Sequence, residues 1–337
     1  MRRYRSGACS AYGCSVDRRA FLAFMSAFAA SEVLAGCSSS PASPNGAVAL
    51  TAKYAAPLTL AAAPAYVASE KGLWSKYGLA LEMRLFDSGR QALDALIGGQ
   101  ADFMSVSETP PMAAVAHGSE IFWIGTATRH AEAKFTYRTD RISDPSSLAA
   151  RRIGSQPGTN SDYLLYRWLK QNSISTSALT IVSLKAPEMV QALIQGEVDG
   201  IFAWEPHNYK AYSRLRGAIA NASGMPYRGY HCLIASPAMV KNESIPTTVA
   251  FLAGLRDAVS FMTSNPEESR AIVSKVTGMD LDTLAALWGE YTFVVEMPDD
   301  LTKMLEEQLQ WLVESEGLST RVQFSNYLSP TALRQVL

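Results

Sequence analysis

The chain has 337 residues, 30 Lys and Arg against 31 Asp and Glu, and a formal net charge of −1. Outside the N-terminal segment it holds no Lys/Arg tract to grip phosphates, so nucleic acid is not an expected partner. No apolar run reaches the roughly twenty residues that a spanning helix needs.

The first forty residues read as a targeting segment. Arg2, Arg3, Arg5 and the pair Arg18–Arg19 precede an apolar run over residues 20–30, and the small residues Leu34-Ala35-Gly36 lead to Cys37. That order fits a secretory signal. Leu34-Ala35-Gly36-Cys37 resembles the lipobox of bacterial lipoproteins, which implies lipidation at Cys37. The expected layout is a signal peptide over 1–36 and a lipidated flexible tether over 37–46, rich in Ser and Pro. The protein is therefore expected to be exported and held to a membrane by lipid, on the periplasmic face or the outer cell surface. Asp17-Arg18-Arg19-Ala20-Phe21-Leu22 also resembles a twin-arginine export motif, and both export routes stay open. Cys9 and Cys14 leave with the signal, so Cys232 has no disulfide partner and reads as a small buried hydrophobe. No CxxC metal signature is present, and no metal or cofactor is expected.

The leader holds five Arg and two acidic residues, which leaves 25 basic against 29 acidic residues in the remainder. About 300 residues suffice for one large or two medium domains. In chain order, a helix is expected over Tyr66–Tyr77 and a strand over Ala80–Phe86. Then comes Ala95-Leu96-Ile97-Gly98-Gly99-Gln100-Ala101-Asp102 and a short strand, Phe103–Val106. A crossing strand follows at Lys134–Thr139, a helix start at Asp144–Leu148 and a strand at Arg152–Ser155. Next are a helix, Asp162–Gln171, and a strand, Thr180–Leu184. Ala192-Leu193-Ile194-Gln195-Gly196-Glu197-Val198-Asp199 then repeats the earlier octet as A-L-I-x-G-x-x-D, before strand Gly200–Ala203. In each copy a helix ends at a Gly suited to a left-handed cap. The chain returns through Tyr230–Ala235 and finishes in helices Thr247–Ser264, Pro266–Thr277, Asp280–Glu290 and Leu301–Glu316.

Strands alternating with helices indicate parallel α/β units. Their repetition predicts an α/β protein of two similar lobes. Lobe one takes 47–130 and 227–337, lobe two takes 131–226, and a ligand cleft and hinge lie between them.

Three blocks carry a resemblance. Residues Ala63-Pro64-Ala65-Tyr66-Val67-Ala68-Ser69-Glu70-Lys71-Gly72-Leu73 look like the P-x-Y-V-A-x-E-x-G-L opening of the nitrate, sulfonate, taurine and thiamine-precursor binding proteins of ABC transporters. Ser147-Leu148-Ala149-Ala150-Arg151-Arg152-Ile153-Gly154 resembles the family's L-x-G-K-x-I-G stretch, with the usual Gly missing. Gly196-Glu197-Val198-Asp199-Gly200-Ile201-Phe202-Ala203-Trp204-Glu205-Pro206 resembles its G-x-V-D-A-x-x-x-W-E-P block. The resemblance implies a type-2 periplasmic-binding-protein fold with extra C-terminal helices. It also implies a monomer that binds a small molecule and works with a permease and an ATPase, not an enzyme.

Ligands of open α/β sheets bind beyond the C-terminal ends of the strands, where helix N-termini offer free N–H groups. That rule selects Ala65, Tyr66, Ser88, Gly89, Ser107, Glu108 and Thr109 in lobe one. In lobe two it selects Gly158, Thr159, Asn160, Ser161, Trp204 and Glu205. Hydroxyls and amides at 158–161 suit an anionic or amide oxygen, with helix capping as the alternative role. Trp204 offers a flat face to a ligand or to the core of lobe two. Arg129 and His130 lie near the first crossing and His231 near the second, as hinge or anion contacts or as structural residues. A sulfonate or taurine-like anion and a substituted pyrimidine both fit. Acids at 87, 108 and 205 disfavour a bare anion such as nitrate. A lipoprotein sensing ligand for a receptor kinase is the alternative, and an enzyme of thiamine-precursor or menaquinone type a further one. Against the enzyme, no G-x-S-x-G elbow or Gly-rich phosphate loop is present.

Overall fold

The computed structural model describes residues 50–131, 134–222, 227–319 and 321–337. The signal peptide, the tether and Cys37 lie outside the described residues. In chain order the main elements are β1 Leu50–Pro57, α1 Ala63–Glu70, β2 Leu79–Phe86, α2 Gly89–Ile97, β3 Phe103–Ser107, α3 Thr109–Ala116 and β4 Phe122–His130. Then come β5 Lys134–Arg138, β6 Arg152–Ser155, α4 Asn160–Gln171, β7 Thr180–Ser183, α5 Ala186–Gln195, β8 Gly200–Ala203, α6 His207–Arg214 and β9 Ile219–Asn221. The chain continues with β10 Gly229–Ala235, α7 Ile245–Ser264, α8 Pro266–Thr277, α9 Leu281–Leu287, β11 Tyr291–Glu296 and α10 Leu301–Glu316.

Two sheets result, in the orders β11-β4-β10-β3-β1-β2 and β7-β6-β8-β5-β9. The same motif sits in both. Strands β2, β1 and β3 run parallel and β10 joins β3 antiparallel. Likewise β7, β6 and β8 run parallel and β5 joins β8 antiparallel. The chain passes between the sheets after β4 and again after β9.

The repeated octet explains the likeness at atomic level. Gly99 and Gly196 both take left-handed backbone, at φ +70° and +74°. Gln100 N donates to Ala95 O and Glu197 N to Ala192 O, each at 2.8 Å, which closes the same helix cap. Asp102 then clasps Lys53 of β1 by accepting from its N at 2.8 Å and donating from its own N at 2.9 Å. Asp199 clasps Arg152 of β6 by the same two bonds, at 2.8 and 2.7 Å. Each Asp thus pins the strand that follows it against the middle strand of its parallel trio, β1 or β6.

Some expectations are corrected. The helix expected over 66–77 breaks at Gly72, where φ is +60°, and Leu73–Tyr77 forms a separate 3-10 turn. No helix forms at 144–148: Asp144 Oδ1 instead accepts from Ser146 N and Oγ, at 2.9 and 2.7 Å. The helix expected over 280–290 ends as α9 at Leu287 with a 3-10 turn after it, and strands β1, β4, β9 and β11 were not expected.

The C-terminal helices close the first lobe. Phe251 of α7 stacks on Phe103 at 4.3 Å and lies parallel to Trp74 at 6.2 Å, and Trp74 Nε1 donates to Phe251 O. In the second lobe Phe135 stacks on Phe202 at 4.7 Å. Helix α10 touches both lobes, since its Trp311 ring meets Tyr163 of α4 at 5.2 Å.

Candidate functional site

A cleft opens where the loops after β1, β2 and β3 face those after β6 and β8. Pro57, Thr59, Gly89, Arg90, Ser107, Pro110 and His231 line one side, and Thr159, Asn160 and Trp204 the other. It measures about 420 Å³ and is open to solvent at its mouth. The two walls are drawn together. Ser107 Oγ donates to Asn160 Oδ1 across the gap, and Asn160 Nδ2 reaches Glu108 Oε1 at 3.5 Å.

Three helices begin here. Ser88 caps α2 by accepting from Gln91 N, Thr159 caps α4 by accepting from Ser161 N, and α3 starts at Thr109. The N-termini of α2 and α4 carry free N–H groups and a partial positive charge at the cleft. Pro110 and Pro111 leave α3 few N–H groups to offer, and Arg90 at the rim is paired with Asp94 at 3.2 Å. Thr109 Oγ1 is buried with no hydrogen-bond partner among the described residues.

The loop at 156–161 is ordered by its own bonds. Ser161 Oγ donates to Phe202 O at 2.6 Å and accepts from Gln156 N at 3.1 Å. Thr159 Oγ1 donates to Gln156 O, and Gln156 Oε1 accepts from Ala186 N, which ties the loop to α5. Gly158 takes φ +68°, where a Cβ would lie 3.3 Å from Arg90 across the cleft. Ser161 is thus the fastener of this wall, while Thr159 and Asn160 face the space.

Glu108 lies directly behind the cleft and is fully buried. Its carboxyl accepts from Gln308 Nε2 of α10 at 3.0 Å, Tyr230 N at 3.1 Å and Asn160 Nδ2. Burial pushes it up to about 7, and the N–H donors only partly oppose that.

The structure brings Gly89, Ser107, Thr159, Asn160 and Trp204 together, with Ser88, Glu108, Thr109, Gly158 and Ser161 directly behind them. It places three others elsewhere. Ala65 is packed in the first lobe's core. Tyr66 is buried there too, and its hydroxyl is occupied by Thr59 N at 3.0 Å, Pro57 O at 2.7 Å and Thr59 O at 2.9 Å. It braces the loop after β1 from behind. Glu205 lines a separate pocket with Lys134, Tyr209 and Asp280, and accepts from Tyr209 N at 2.9 Å. Burial raises its carboxyl to about 7. Arg129 forks onto Glu296 on the surface, and His130 is buried, with burial lowering it to about 4. Sequence reasoning missed Pro57, Thr59 and Pro110. The available signal was strand β1, whose C-terminal end obeys the same rule as the others. Among the described residues no cluster of His, Cys, Asp or Glu could hold a metal ion, and no helix is long and apolar enough to cross a membrane.

Two lobes of one topology, joined by crossings and meeting at strand-end loops, define the type-2 periplasmic-binding-protein fold. A family model described as NMT1/THI5 like matches residues 60–269, and the chain belongs to that family. A protein of Escherichia coli (strain K12) named for binding aliphatic sulfonates is 27% identical over 206 residues, which are 60% of this chain and 63% of the relative. The chain therefore matches under two thirds of that relative's length. The solved alkanesulfonate-binding protein SsuA from Xanthomonas axonopodis pv. citri, bound to MOPS, shares the fold with a TM-score of 0.72 at 19% identity, over 82% of this chain and 97% of that one. The fold also serves chemistry. DSZB, a desulfurization enzyme solved as a mutant with biphenyl-2-sulfinic acid, aligns with a TM-score of 0.65 at 15% identity, over 86% and 99%.

Proposed function

We propose that this chain is the extracytoplasmic solute-binding component of an ABC importer, and that it captures a small organic sulfonate between its lobes. The observation that carries the reading is the convergence of the N-termini of α2 and α4, the Ser107 and Thr159 hydroxyls and Arg90 on one cleft, with Trp204 beside them. N–H groups and hydroxyls suit the three oxygens of a sulfonate, and the indole face suits its organic part. Burial that keeps much of Glu108 protonated near neutral pH removes the carboxylate that would repel such an anion. The relatives and structural neighbours named for sulfonates support the same ligand class. The DSZB likeness favours an enzyme as a second reading. Cys232 counts against a thiol nucleophile, because burial raises its thiol well above the ordinary value. Export, the Cys37 lipid anchor and delivery to a permease belong to the same proposal, and Cys37→Ser should release the protein from the membrane fraction.

The test is calorimetry with ethanesulfonate, taurine, an aminopyrimidine and nitrate, with small-angle scattering on the same mixtures. A sulfonate should bind, compact the protein and raise its stability by about 3 kcal/mol at a hundredfold excess over Kd. Trp204→Ala should weaken that binding at least tenfold. Binding of nitrate alone, or sulfonate binding without compaction, would overturn the reading.

A further inference from the structure

We propose that His231 presents a neutral Nδ1–H donor to the cleft and that this donor binds an oxygen of the ligand's acidic group. The inference rests on the sulfonate reading and adds a recognition residue to it.

His231 sits on β10 in register with Ser107 of β3, and Leu233 with Ser105. Cross-strand partners share a face, so His231, Ser105 and Ser107 lie together at the end of β3 that opens on the cleft. His231 is 2% exposed and lines the cleft beside Thr59 and Ser107. Its Nε2 lies 3.0 Å from Ser105 Oγ, which lies 2.6 Å from the hydroxyl of fully buried Tyr54.

These contacts fix the protons. Among the described residues the Tyr54 hydroxyl has only Ser105 Oγ to donate to, and the reverse direction would strand its proton in the core. Ser105 therefore accepts from Tyr54 and gives its own proton to His231 Nε2. An imidazole that accepts at Nε2 carries its hydrogen on Nδ1. Burial, with His130 nearby, holds the ring well below its ordinary pKa, so it stays neutral. Among the described residues Nδ1 is buried and has no hydrogen-bond partner. A buried donor without an acceptor, on a residue that lines the cleft, is supplied with one by a sulfonate oxygen.

The experiment has two arms. Long-range proton–nitrogen NMR on isotope-labelled histidine, with His231 assigned by its absence in His231→Asn, reads the tautomer without ligand. Nδ1 should be the protonated nitrogen, and an Nε2–H tautomer overturns the proposal. Calorimetry with ethanesulfonate then compares wild type, His231→Asn, whose amide nitrogen falls near Nδ1, and His231→Phe. The Phe variant should bind about ten- to hundredfold more weakly, the worth of one hydrogen bond to a charged group, and the Asn variant should recover most of that loss. Equal affinity in wild type and the Phe variant overturns the role of His231 and leaves the sulfonate reading intact. No binding of ethanesulfonate by wild type overturns that reading and, with it, the partner assigned to Nδ1.

Discussion

Glu108→Gln should change how stability depends on pH, and by an amount the structure sets. Glu108 is buried where Asn160 of one lobe meets Gln308 and Tyr230 of the other. Burial raises it from 4.5 to about 7 in the folded protein. An acid with a raised folded pKa binds more protons folded than unfolded between those two values. Its contribution to stability is complete below the unfolded pKa and is lost as pH rises through the folded one. A shift of about 2.5 units is worth about 3 kcal/mol in all, of which about 2 kcal/mol is lost between about pH 5.5 and about pH 8.

Glutamine keeps the shape of the neutral acid and does not titrate. Its amide also puts N–H groups among donors, which lowers stability at every pH by about 1–3 kcal/mol. That offset does not alter the slope. Urea unfolding of both proteins at the two pH values isolates the slope, because Glu205, His130 and His207 titrate alike in each and cancel in the difference. Wild type should lose about 2 kcal/mol relative to Glu108→Gln as pH rises. A difference that stays constant would show that Glu108 titrates normally and would refute its place as a buried neutral acid.

Three further substitutions test the walls of the site. Ser161→Ala removes the fastener of the 156–161 loop and should cost about 1–3 kcal/mol in urea unfolding, with weaker sulfonate binding as the loop loosens. Tyr66→Phe strips Thr59 N and two carbonyls of their shared partner and should cost about 1–2 kcal/mol, while affinity falls less than in Trp204→Ala. A larger loss of affinity than stability would return Tyr66 to the lining. Ala150, at the Gly place of the L-x-G-K-x-I-G pattern that residues 148–154 resemble, takes φ +58°. Ala150→Gly relieves about 1–2 kcal/mol of left-handed strain against about 0.5–1 kcal/mol of added chain entropy, and should raise stability by about 0.5–1 kcal/mol in the same assay.

What could be read from the sequence was local and repeated. The octets at 95–102 and 192–199 announced their caps because Gly99 and Gly196 follow amphipathic helices. Their Asp residues announced the strands because those carboxylates clasp the neighbouring strand. The bounds of β6, β8, α8 and α10 emerged as expected, each marked by Gly, Pro or Asp. What escaped depended on distant partners. β11 is a short run that becomes a strand only against β4, and β1 was not expected, so nothing pointed from its end to Thr59. Tyr66 and Glu205 stand beside the cleft in sequence, but α1 turns Tyr66 inward and Glu205 faces the pocket next to Trp204's. Side-chain direction is settled by packing, which no spacing rule supplies.

The two halves of the site are each firm, and apolar packing through α10 and a set of polar ties join them. On one side His231, Ser105 and Ser107 stand on paired strands, and Glu108 is held by α10. On the other, Ser161 and Gln156 bind the loop to β8 and α5. Beyond Ser107–Asn160 and Asn160–Glu108, charged ties across the lobes include Lys134–Glu290, at 2.8 Å, and Lys170–Glu314, at 3.6 Å. The exposed Lys170–Glu314 pair contributes about 0–1 kcal/mol, whereas Lys134 and Glu290 are partly buried. The walls of the cleft are drawn together by Ser107, Asn160 and Glu108, so the lobes must part to admit a ligand. A ligand gripped by both halves need not order either one, so its binding energy goes into closure. Reversing a 1:99 population takes about 5.5 kcal/mol of preference for the closed state. A sulfonate with bonds to both walls and an indole beside it is of the size to supply that, whereas a solute touching one wall would bind without moving the lobes.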